Sequence, residues 1–449
     1  MVKVIVAERK YDCTDLLGQF VDESHYDFLI EEDCDVYMPA DCDLATQADC
    51  DVPTDCQSCV KGMDEKRIVL KFRKNYFTKE QQDQAYAGLR DAATETQNRG
   101  LAAGPRGDKL GNREWVTEYE YDMVEHFLDP KPNLLGEDTV DEIRKTHVGK
   151  KSTPSNRNNV WSIDRTKKME FKFEDWVEST RKLPRDGQIE AANFVADKLI
   201  CATTYANSVN SGIAGWFDRY PRIPYGRATS YTARFPEKFA MSYAFLQQLS
   251  RGFKDLLPWR FNNQMEAAKK LDPSYLVPDT PFTTVTVNKT FRTAAHYDAG
   301  DLTTGLSNLL TLSNDGRYTG GYLIAPEYRV AVNVRPGDLL LINNHEVMHG
   351  NTPIVCEEGS ERVSLVVYFR EKMLELGSKA YEECRYNFVE SRRKNPDHPS
   401  QRKLWNGVSE GMWLSKEWYD YCSAALGEQT MFKYHPEAQA SGSLDEFFA

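Results

Sequence analysis

The sequence lacks any long hydrophobic run, although apolar residues make up 41% of its 449 residues. A membrane-spanning helix needs about 20 consecutive apolar residues, so the sequence predicts no membrane span. The first residues, MVKVIVAERKYDC, hold only a short apolar stretch before Glu8, Arg9 and Lys10, which is not the pattern of a secretory signal peptide. We therefore expect a protein of the cytoplasm (of a bacterium or a phage-infected host) or of the nucleus, neither secreted nor membrane-bound.

Positive charge is also in short supply, because 56 Lys and Arg face 68 Asp and Glu, for a net charge of −12. This balance excludes a protein that coats nucleic acid by bulk electrostatics, but not one with a local basic groove. Residues 145–170 and 390–403 are basic and could contact phosphates. A solvated linker is the more usual explanation for the first stretch, and a solvated helix end explains the second equally well.

Cysteine is concentrated in an acidic segment, residues 31–59, in which Asp-Cys-Asp recurs at 33–35, 41–43 and 49–51. One interpretation is a zinc site, whose candidate ligands are Cys34, Cys42, Cys50, Cys56 and Cys59. The alternative, which we favour, is a solvated acidic insertion, because this spacing is not a standard zinc pattern. A reducing compartment would favour free thiols or metal ligation over disulfides.

Apolar patterning predicts an α+β protein. Beyond Pro278, short β-rich runs punctuated by Gly, Asn, Asp and Pro predict an antiparallel sandwich or jelly roll; they are 282–287, 306–312, 321–325, 329–334, 338–342 and 362–369. A strand is predicted at 66–73, and helices at 78–98, 187–208, 237–257 and 261–271. We divide the chain into an N-terminal region (1–150), a basic linker (151–186), a core (187–375) and a C-terminal helical extension (376–449).

Three residues of the β-rich part have the pattern of a metal site. His296 and Asp298 are two positions apart, so strand alternation would place both on one face. His349, which follows the predicted strand 338–342, can supply a third ligand. Two histidines and one carboxylate form the facial triad of non-haem iron oxygenases, which leaves positions open for a co-substrate and dioxygen. His345 is the alternative third ligand, but His349 directly precedes the Gly-Asn-Thr-Pro turn and is favoured.

A candidate anion site follows the triad. Arg362 opens the last predicted strand, and Ser364 lies two residues later on the same face. A guanidinium can bind the distal carboxylate of 2-oxoglutarate through two hydrogen bonds, with the Ser hydroxyl as a third contact. Each motif is common alone, but the four elements in this order within a β-rich segment form a specific signal.

The runs FRTAAHYDAGDL, MHGNTP and ERVSLVVYFREKM resemble the TET/JBP family, which oxidises the 5-methyl group of pyrimidines in DNA. GWFDRYPRIPYGRATSYT at 215–232 resembles a segment of its phage and protist branches. The likeness spans roughly 200–375 and implies a double-stranded β-helix core with flanking helices, Fe(II), 2-oxoglutarate and a flipped-out base. By motif position it implies the iron ligands His296, Asp298 and His349. It also implies 2-oxoglutarate contacts from Arg362 and Ser364, and from Arg292 to the inner carboxylate.

The resemblance also implies contacts to the base. Tyr368 matches a stacking position, Asp301 lies near the Watson–Crick edge, and Arg370 stands where some relatives carry histidine. Arginines interleave with the aromatic residues of 215–235, as a phosphate-contacting loop requires; they are Arg219, Arg222, Arg227 and Arg234. Ordinary core packing is the alternative for most of the rings, which are Trp216, Phe217, Tyr220, Tyr225, Tyr231 and Phe235.

The choice of base depends on Asp301. An ionised Asp only accepts hydrogen bonds. Cytosine presents an N4 donor at that edge whereas thymine presents an O4 acceptor, so 5-methylcytosine is favoured over thymine. Asp301 could instead cap the following turn. A thymine hydroxylase giving 5-hydroxymethyluracil, or a protein or small-molecule hydroxylase on the same fold, remains the alternative function, because the triad alone does not name a substrate. A non-catalytic DNA-binding module is disfavoured, since every ligand is present. No protein partner is indicated.

Overall fold

The computed structural model describes residues 2–39, 65–96, 99–105, 161–162, 170–171, 200–201, 207–220, 223–393, 413 and 415–436. The chain forms two compact units, one of residues 1–17, 21–94 and 210–449, and one of residues 18–20 and 95–209. The predicted boundaries near 150 and 186 lie outside the described residues, so our division of the chain stays a prediction. Of the predicted helix 187–208, only residues 200–201 and 207–208 are described, and Ile200–Cys201 form a strand, so the helix prediction is wrong there. Within the part that is described, no helix is long and apolar enough to cross a membrane.

The strands are β1 (Lys3–Val6), β2 (Phe28–Ile30), β3 (Cys34–Tyr37), β4 (Ile68–Arg73), β5 (Thr94–Thr96), β6 (Trp161–Ser162), β7 (Glu170–Phe171), β8 (Ile200–Cys201), β9 (Val209–Phe217), β10 (Arg227–Ala228), β11 (Thr284–Lys289), β12 (Ser307–Ser313), β13 (Tyr318–Gly320), β14 (Leu323–Ala325), β15 (Val330–Val332), β16 (Leu339–Ile342), β17 (Gly350–Asn351), β18 (Ile354–Cys356) and β19 (Arg362–Tyr368). The α-helices are α1 (Lys79–Leu89), α2 (Ser230–Arg234), α3 (Pro236–Met241), α4 (Tyr243–Leu256), α5 (Pro258–Ala268), α6 (Lys379–Arg393), α7 (Lys416–Leu426) and α8 (Glu428–Tyr434). In the second unit, β6 pairs with β7 and β8 in antiparallel fashion.

The larger sheet of the first unit has the strand order β1-β3-β4-β16-β12-β19-β11-β9-β10. The β1–β3 pair is parallel, and the other pairs along this path are antiparallel. β19 lies between β11 and β12, where Ser364 faces Asn288 on one side and Thr311 on the other. Because directly opposed residues of antiparallel strands share a face, Ser364, Asn288 and Thr311 lie on one face of the sheet.

The opposite face of this sheet is apolar and is covered by helices. Val363, Leu365 and Val367 of β19 belong to the main hydrophobic cluster, together with side chains of α1, α4 and α5. α4 contributes Leu246, Leu249 and Phe253 at helical spacing, as expected of an amphipathic helix. α1 begins after Thr78, whose side chain forms a reciprocal capping box with Gln81. This packing holds the apolar face of β19 against the helices. The polar face of β19 is therefore available for a functional site.

A second sheet has the order β17-β14-β15-β2. Leu323 and Val332 of this sheet form one hydrophobic cluster with Leu309 and Leu340 of the larger sheet. The two sheets therefore pack against each other through their apolar side chains. β2, β3 and β4 come from the first 73 residues, so the N-terminal part of the chain contributes strands to both sheets.

Most of the predicted elements are present. Each of the six β-rich runs predicted after Pro278 contains a strand, and the prediction of an α+β protein is confirmed. The helix predicted at 78–98 ends at Leu89, because residues 90–92 form a 3-10 turn and β5 follows. The start of the predicted acidic insertion is wrong: β3 lies within it, and the Cys34 and Val36 side chains are buried between the sheets. Residues 40–59 of that segment lie outside the described residues.

Candidate active site

The two histidines of the predicted triad face each other across an isolated antiparallel bridge. The His296 N–H donates to the His349 carbonyl at 3.0 Å, and the His349 N–H donates to the His296 carbonyl at 2.9 Å. The Asp298 N–H donates to the Asn344 carbonyl, also at 3.0 Å. The loop that follows β11 and the loop that follows β16 are thus joined by backbone hydrogen bonds at each ligand position.

The ligand atoms of the three residues converge. His296 Nε2 lies 3.4 Å from Asp298 Oδ1, and His349 Nε2 lies 3.8 Å from Asp298 Oδ2. All three ligand atoms lie within 4.8 Å of one another, and they form the only group of three or more such residues found in the described ranges that could hold a metal ion. His345 is outside this group; its Nδ1 lies 3.3 Å from the Asp298 carbonyl oxygen and its side chain is exposed. The geometry therefore favours His349 over His345 as the third ligand.

Neighbouring groups hold the ligand side chains in a metal-binding state. Nδ1 of His296 lies 2.7 Å from the Ala294 carbonyl oxygen, and Nδ1 of His349 lies 3.0 Å from that of Val347. Because a carbonyl oxygen only accepts, each Nδ1 carries a proton, which leaves Nε2 of each ring as the atom that a metal can bind. Asn344 Nδ2 donates to Asp298 Oδ2 at 3.0 Å and orients the carboxylate.

The electrostatics of the triad also suit a cation. Burial alone would raise the Asp298 pKa, but the hydrogen bond from His296 and the charge of His349 outweigh burial and lower it to about 2. Burial, followed by the charge of His296, lowers the pKa of His349 to about 4. An ionised Asp298 and a neutral His349 are the protonation states that metal binding requires. Burial acts to lower the pKa of His296, but the hydrogen bond to Asp298 outweighs it and raises this pKa, so a metal bound there would displace a proton.

Arg362 is a buried cation that needs an anionic partner. Its side chain is 1% exposed, and Nη2 makes only long contacts, 3.4 Å to Thr311 Oγ1 and 3.3 Å to the Gly321 carbonyl oxygen. Nε has no hydrogen-bond partner, and no carboxylate of the described residues pairs with the guanidinium. Burial lowers the pKa of Arg362. Because an unpaired buried charge is costly, this arrangement fits a bound carboxylate such as that of 2-oxoglutarate.

The backbone around Arg362 leaves space beside its guanidinium. Gly321 has φ +71, and a Cβ built there would come within 3.0 Å of Arg362 Nε. A larger residue would therefore be strained and would crowd the guanidinium. The Gly321 carbonyl oxygen also accepts a hydrogen bond from Asn351 Nδ2 at 3.2 Å, two residues past His349. This shared carbonyl links Arg362 to the segment that carries His349.

The other two residues predicted to contact 2-oxoglutarate differ in their surroundings. Ser364 is buried on the polar face of β19, one alternation from Arg362. Arg292 uses its guanidinium on the backbone, with Nη2 donating to the Val21 carbonyl at 2.7 Å and Nε to the Asn351 carbonyl at 3.4 Å. A co-substrate role for either residue stays a prediction.

The predicted base contacts lie close to the triad. Asp301 and Arg370 face each other across a second isolated bridge, and Tyr368 is 7% exposed on the same face of β19 as Arg362 and Ser364. Burial, together with the negative charge of Asp301, raises the pKa of Tyr368. The Ser307 hydroxyl donates to the Asp301 carboxylate, so Asp301 bonds to a strand residue rather than capping the turn after it. Burial and then the charge of Asp298 raise the pKa of Asp301 to about 8.

Beside these residues lies a group that we call the Phe217 cluster: Phe217, Asp218, Arg227 and Arg370. The Phe217 ring centroid is 4.7 Å from the Arg370 guanidinium carbon and 5.4 Å from that of Arg227. Arg370 Nε donates to the Asp218 carboxylate, and Arg227 Nη1 donates to the Asp218 carbonyl at 3.1 Å. Asp218 thus contacts two arginines that the sequence predicts to bind substrate.

The other aromatic residues of 215–235 divide into a buried and an exposed group, and only the buried group fits the interpretation as ordinary core. Tyr225 and Tyr231 are buried, and Trp216 packs against the main hydrophobic cluster. Tyr220 and Phe235 are exposed. Of the interleaved arginines, Arg219 pairs with the buried Glu382, Arg234 is exposed, and Arg222 lies outside the described residues. Core packing therefore accounts for part of this run only.

Three residues of the site were missed from sequence. Asn344 orients Asp298 and could have been suspected from its place between β16 and His349. Asp218 and Glu327 carry no local signal, because their partners are distant in sequence: Asp218 binds Arg370, 152 positions away, and Glu327 Oε2 accepts the Met348 N–H, 21 positions away.

The zinc prediction gains no support from the described residues. Cys34 is a buried strand residue, and burial raises the pKa of its thiol to about 11, which disfavours the thiolate that zinc requires. Cys42, Cys50, Cys56 and Cys59 lie outside the described residues.

Comparison with known proteins identifies the domain that carries the site. Residues 225–371 match the Tet_JBP family, described as the oxygenase domain of the 2OGFeDO superfamily. Thymine dioxygenase JBP1 of Trypanosoma brucei brucei is 33% identical over 195 residues, which cover 40% of this chain and 22% of the relative. Bifunctional helicase and thymine dioxygenase JBP2 of Trypanosoma brucei brucei (strain 927/4 GUTat10.1) is 36% identical over 165 residues, covering 36% and 15%.

Similarity at the level of whole chains is limited. The matched part spans about a fifth of the length of these curated relatives. A solved structure of NgTET1 in complex with 5mC DNA aligns with 41% of this chain and 69% of that chain, at 18% identity and a TM-score of 0.30. The resemblance to the TET/JBP family is nevertheless confirmed from the sequence matches, and residues 225–371 carry a Tet_JBP-type oxygenase domain of the 2OGFeDO superfamily.

Proposed function

We propose that this chain is an Fe(II)- and 2-oxoglutarate-dependent dioxygenase that oxidises the 5-methyl group of a pyrimidine base in DNA. The observation that carries the proposal is the convergence of His296, Asp298 and His349 inside the segment that matches the oxygenase family. A double-stranded β-helix is the core fold that we propose for this enzyme, and the packing of two sheets through their apolar side chains supports it.

His296, Asp298 and His349 would hold the iron. With 2-oxoglutarate and dioxygen, bound iron supplies the oxidant that an unactivated methyl group requires. The chain's own contribution is to hold the ligands before the metal arrives: backbone carbonyls fix both imidazoles, and Asn344 fixes the carboxylate. Preorganisation of this kind lowers the cost of binding a metal in one defined geometry.

Arg362 would bind the distal carboxylate of 2-oxoglutarate, because it is a buried guanidinium with a free Nε donor. A carboxylate there would gain charge-assisted hydrogen bonds and would remove the cost of an unpaired buried cation. Ser364 lies on the same face and offers a hydroxyl beside it. Arg292 is a weaker candidate for the inner carboxylate, since its guanidinium already donates to two backbone carbonyls.

A methyl group inside a DNA duplex cannot reach a buried metal, so the base must be extruded. Tyr368 offers an aromatic surface close to Asp298 and Asp301, on which an extruded base can stack. Arg370 and Arg227 place two cations beside this position, suited to contacts with the base or with its phosphates. These features favour a nucleic-acid substrate over a protein or a small molecule.

Two bases are candidates, and different observations favour them. The prediction of 5-methylcytosine rests on an ionised Asp301 that accepts from the N4 amino group. However, the pKa of Asp301 is raised to about 8, so at neutral pH the protonated form can also donate to the O4 of thymine. Thymine oxidation is also the activity named for the JBP relatives. Thymine is therefore the second candidate substrate.

The test is a nucleoside assay. Duplexes that contain 5-methylcytosine, or thymine as the sole methylated base, are incubated with enzyme, Fe(II) and 2-oxoglutarate, and digested nucleosides are identified by mass spectrometry. We expect 5-hydroxymethylcytosine or 5-hydroxymethyluracil from the wild type and neither from His349→Ala. The His345→Ala variant is the matched control and should retain the product. Turnover of 2-oxoglutarate without any oxidised base, in every duplex tried, would contradict the proposed substrate class.

A further inference from the structure

Glu327 contacts both segments that deliver the metal ligands. It lies in the 3-10 turn Pro326–Tyr328 between β14 and β15 and is 3% exposed. Its Oε1 accepts from the Tyr297 hydroxyl at 2.8 Å, and its Oε2 accepts from the Met348 N–H at 2.7 Å. Tyr297 stands between the ligands His296 and Asp298, and Met348 directly precedes the ligand His349. One carboxylate therefore connects the two loops that carry the triad.

The N-terminal segment supplies the counter-charge. Lys10 Nζ lies 3.2 Å from Glu327 Oε1, and the Tyr11 N–H donates to the Glu327 carbonyl at 2.8 Å. Both residues lie outside residues 225–371, the part that matches the oxygenase family. Without Lys10, a buried carboxylate would have only neutral donors as partners, and burying it would cost more. The segment before β2 thus supports the metal site from outside the matched domain.

We propose that Glu327 is a positioning residue that sets the affinity and geometry of the metal site, and that Lys10 supplies the positive charge that pairs with it. The inference rests on the proposed iron site, since it concerns groups that orient the ligands of that site. Glu327 fixes the Tyr297 side chain and the Met348 backbone, so it limits how far His296, Asp298 and His349 can move apart. Loss of such supporting groups typically lowers metal affinity about 10- to 100-fold.

A purely structural role for Glu327 predicts a different result. A buried carboxylate that only stabilises the fold would lower thermal stability when removed, while the folded protein would bind metal as before. Asp338 provides the matched control. It is also buried, and it accepts from Lys74 Nζ at 2.9 Å, from the Asn75 N–H at 3.0 Å and from the Arg335 N–H at 2.9 Å. None of these contacts involves a ligand loop.

The experiment is a titration of the metal-free protein with Co(II), whose visible absorption reports coordination geometry. We compare wild type, Glu327→Ala, Glu327→Gln and Asp338→Ala, with thermal unfolding of each apoprotein. Glu327→Ala should weaken Co(II) binding about 10- to 100-fold and alter the absorption band. Glu327→Gln keeps an acceptor for the Met348 N–H but loses the ion pair with Lys10, so it should weaken Co(II) binding less than Glu327→Ala does. Asp338→Ala should lower the unfolding temperature while Co(II) affinity stays at the wild-type value.

The outcomes separate this inference from the proposed function. Wild-type Co(II) affinity and an unchanged band in folded Glu327→Ala would overturn the positioning role, whatever the enzyme oxidises. Equal losses of affinity in Glu327→Ala and Asp338→Ala would also overturn it, because the effect would then follow stability alone. Conversely, if wild type binds Co(II) through the triad but oxidises no DNA base, the proposed function fails while the Glu327 result still stands.

Discussion

The metal centre and the Phe217 cluster are both built around a carboxylate, but their partners lie at very different distances along the chain. Each histidine of the metal centre bonds to a carbonyl two residues before it. In the Phe217 cluster, Arg370 reaches an aspartate 152 positions away. The orientation of each imidazole therefore depends on local chain geometry, and the histidines meet across one antiparallel bridge. The Phe217 cluster instead requires β9 and β19 to lie on either side of β11.

Removal of one of the proposed metal ligands should have the largest effect. His349→Ala deletes one of three metal-binding atoms, so we expect Fe(II)-dependent turnover of 2-oxoglutarate to fall below detection. His345→Ala removes an exposed imidazole from the same loop and should keep activity close to wild type. For each variant, anaerobic Fe(II) titration measures the iron affinity, and 2-oxoglutarate consumption measures the turnover. A collapse of iron affinity in His345→Ala alone would reverse the ligand assignment.

Arg362 should give the next largest effect. Arg362→Ala removes the buried cation that we assign to the distal carboxylate of 2-oxoglutarate, and loss of one member of such a pair costs about 2–5 kcal/mol. The KM for 2-oxoglutarate should therefore rise by a factor of tens to thousands. Arg362→Lys keeps the charge but not the paired donors, so it should recover only part of the loss. DNA binding, measured by fluorescence anisotropy, should not change, and an unaltered KM for 2-oxoglutarate would remove Arg362 from the site.

The sequence predicts the residues of the metal site better than those of the Phe217 cluster. The triad and Arg362 are visible as motifs because ligand spacing and strand alternation are local properties, and the six β-rich runs around them are each found to contain a strand. Asp218, by contrast, lies in an arginine-rich stretch whose pattern predicts a phosphate-contacting loop and does not indicate a partner for Asp218. Its pairing with Arg370 depends on sheet order, and spacing carries no information about it. The burial of Cys34 was also missed from sequence. Its strand is short, and the acidic residues around it predict an exposed segment.

Asp218 tests the Phe217 cluster with a smaller effect. Asp218→Asn keeps the size of the side chain but removes the charge that holds Arg370 Nε. Hydrogen bonds to charged groups contribute about 1.5–3 kcal/mol, so we expect the KM for the DNA substrate to rise about tenfold or more. The KM for 2-oxoglutarate and the Fe(II) affinity should stay unchanged, which separates this cluster from the metal centre. Parallel rises in the two KM values would instead show that the two regions act as one unit.

The smallest expected effect concerns the proton on Asp301. Burial and the charge of Asp298 raise the pKa of this carboxyl from 3.8 to about 8, so the group stays protonated as pH rises until that value and ionises above it. Bound Fe(II) offsets the Asp298 charge, so in the iron-bound enzyme we expect the transition at or below about 8. The protonated form can donate to thymine O4, whereas the ionised form only accepts and matches the N4 donor of 5-methylcytosine.

We therefore expect the ratio of 5-hydroxymethyluracil to 5-hydroxymethylcytosine, formed from a duplex with both bases, to fall about fivefold or more as pH rises through this transition, the size expected for one mismatched buried hydrogen bond. Asp301→Asn does not titrate and presents both a donor and an acceptor, so its product ratio should not depend on pH. If the wild-type ratio is equally flat, Asp301 does not read the base edge, and selectivity must arise among residues such as Arg370, which belongs to the Phe217 cluster.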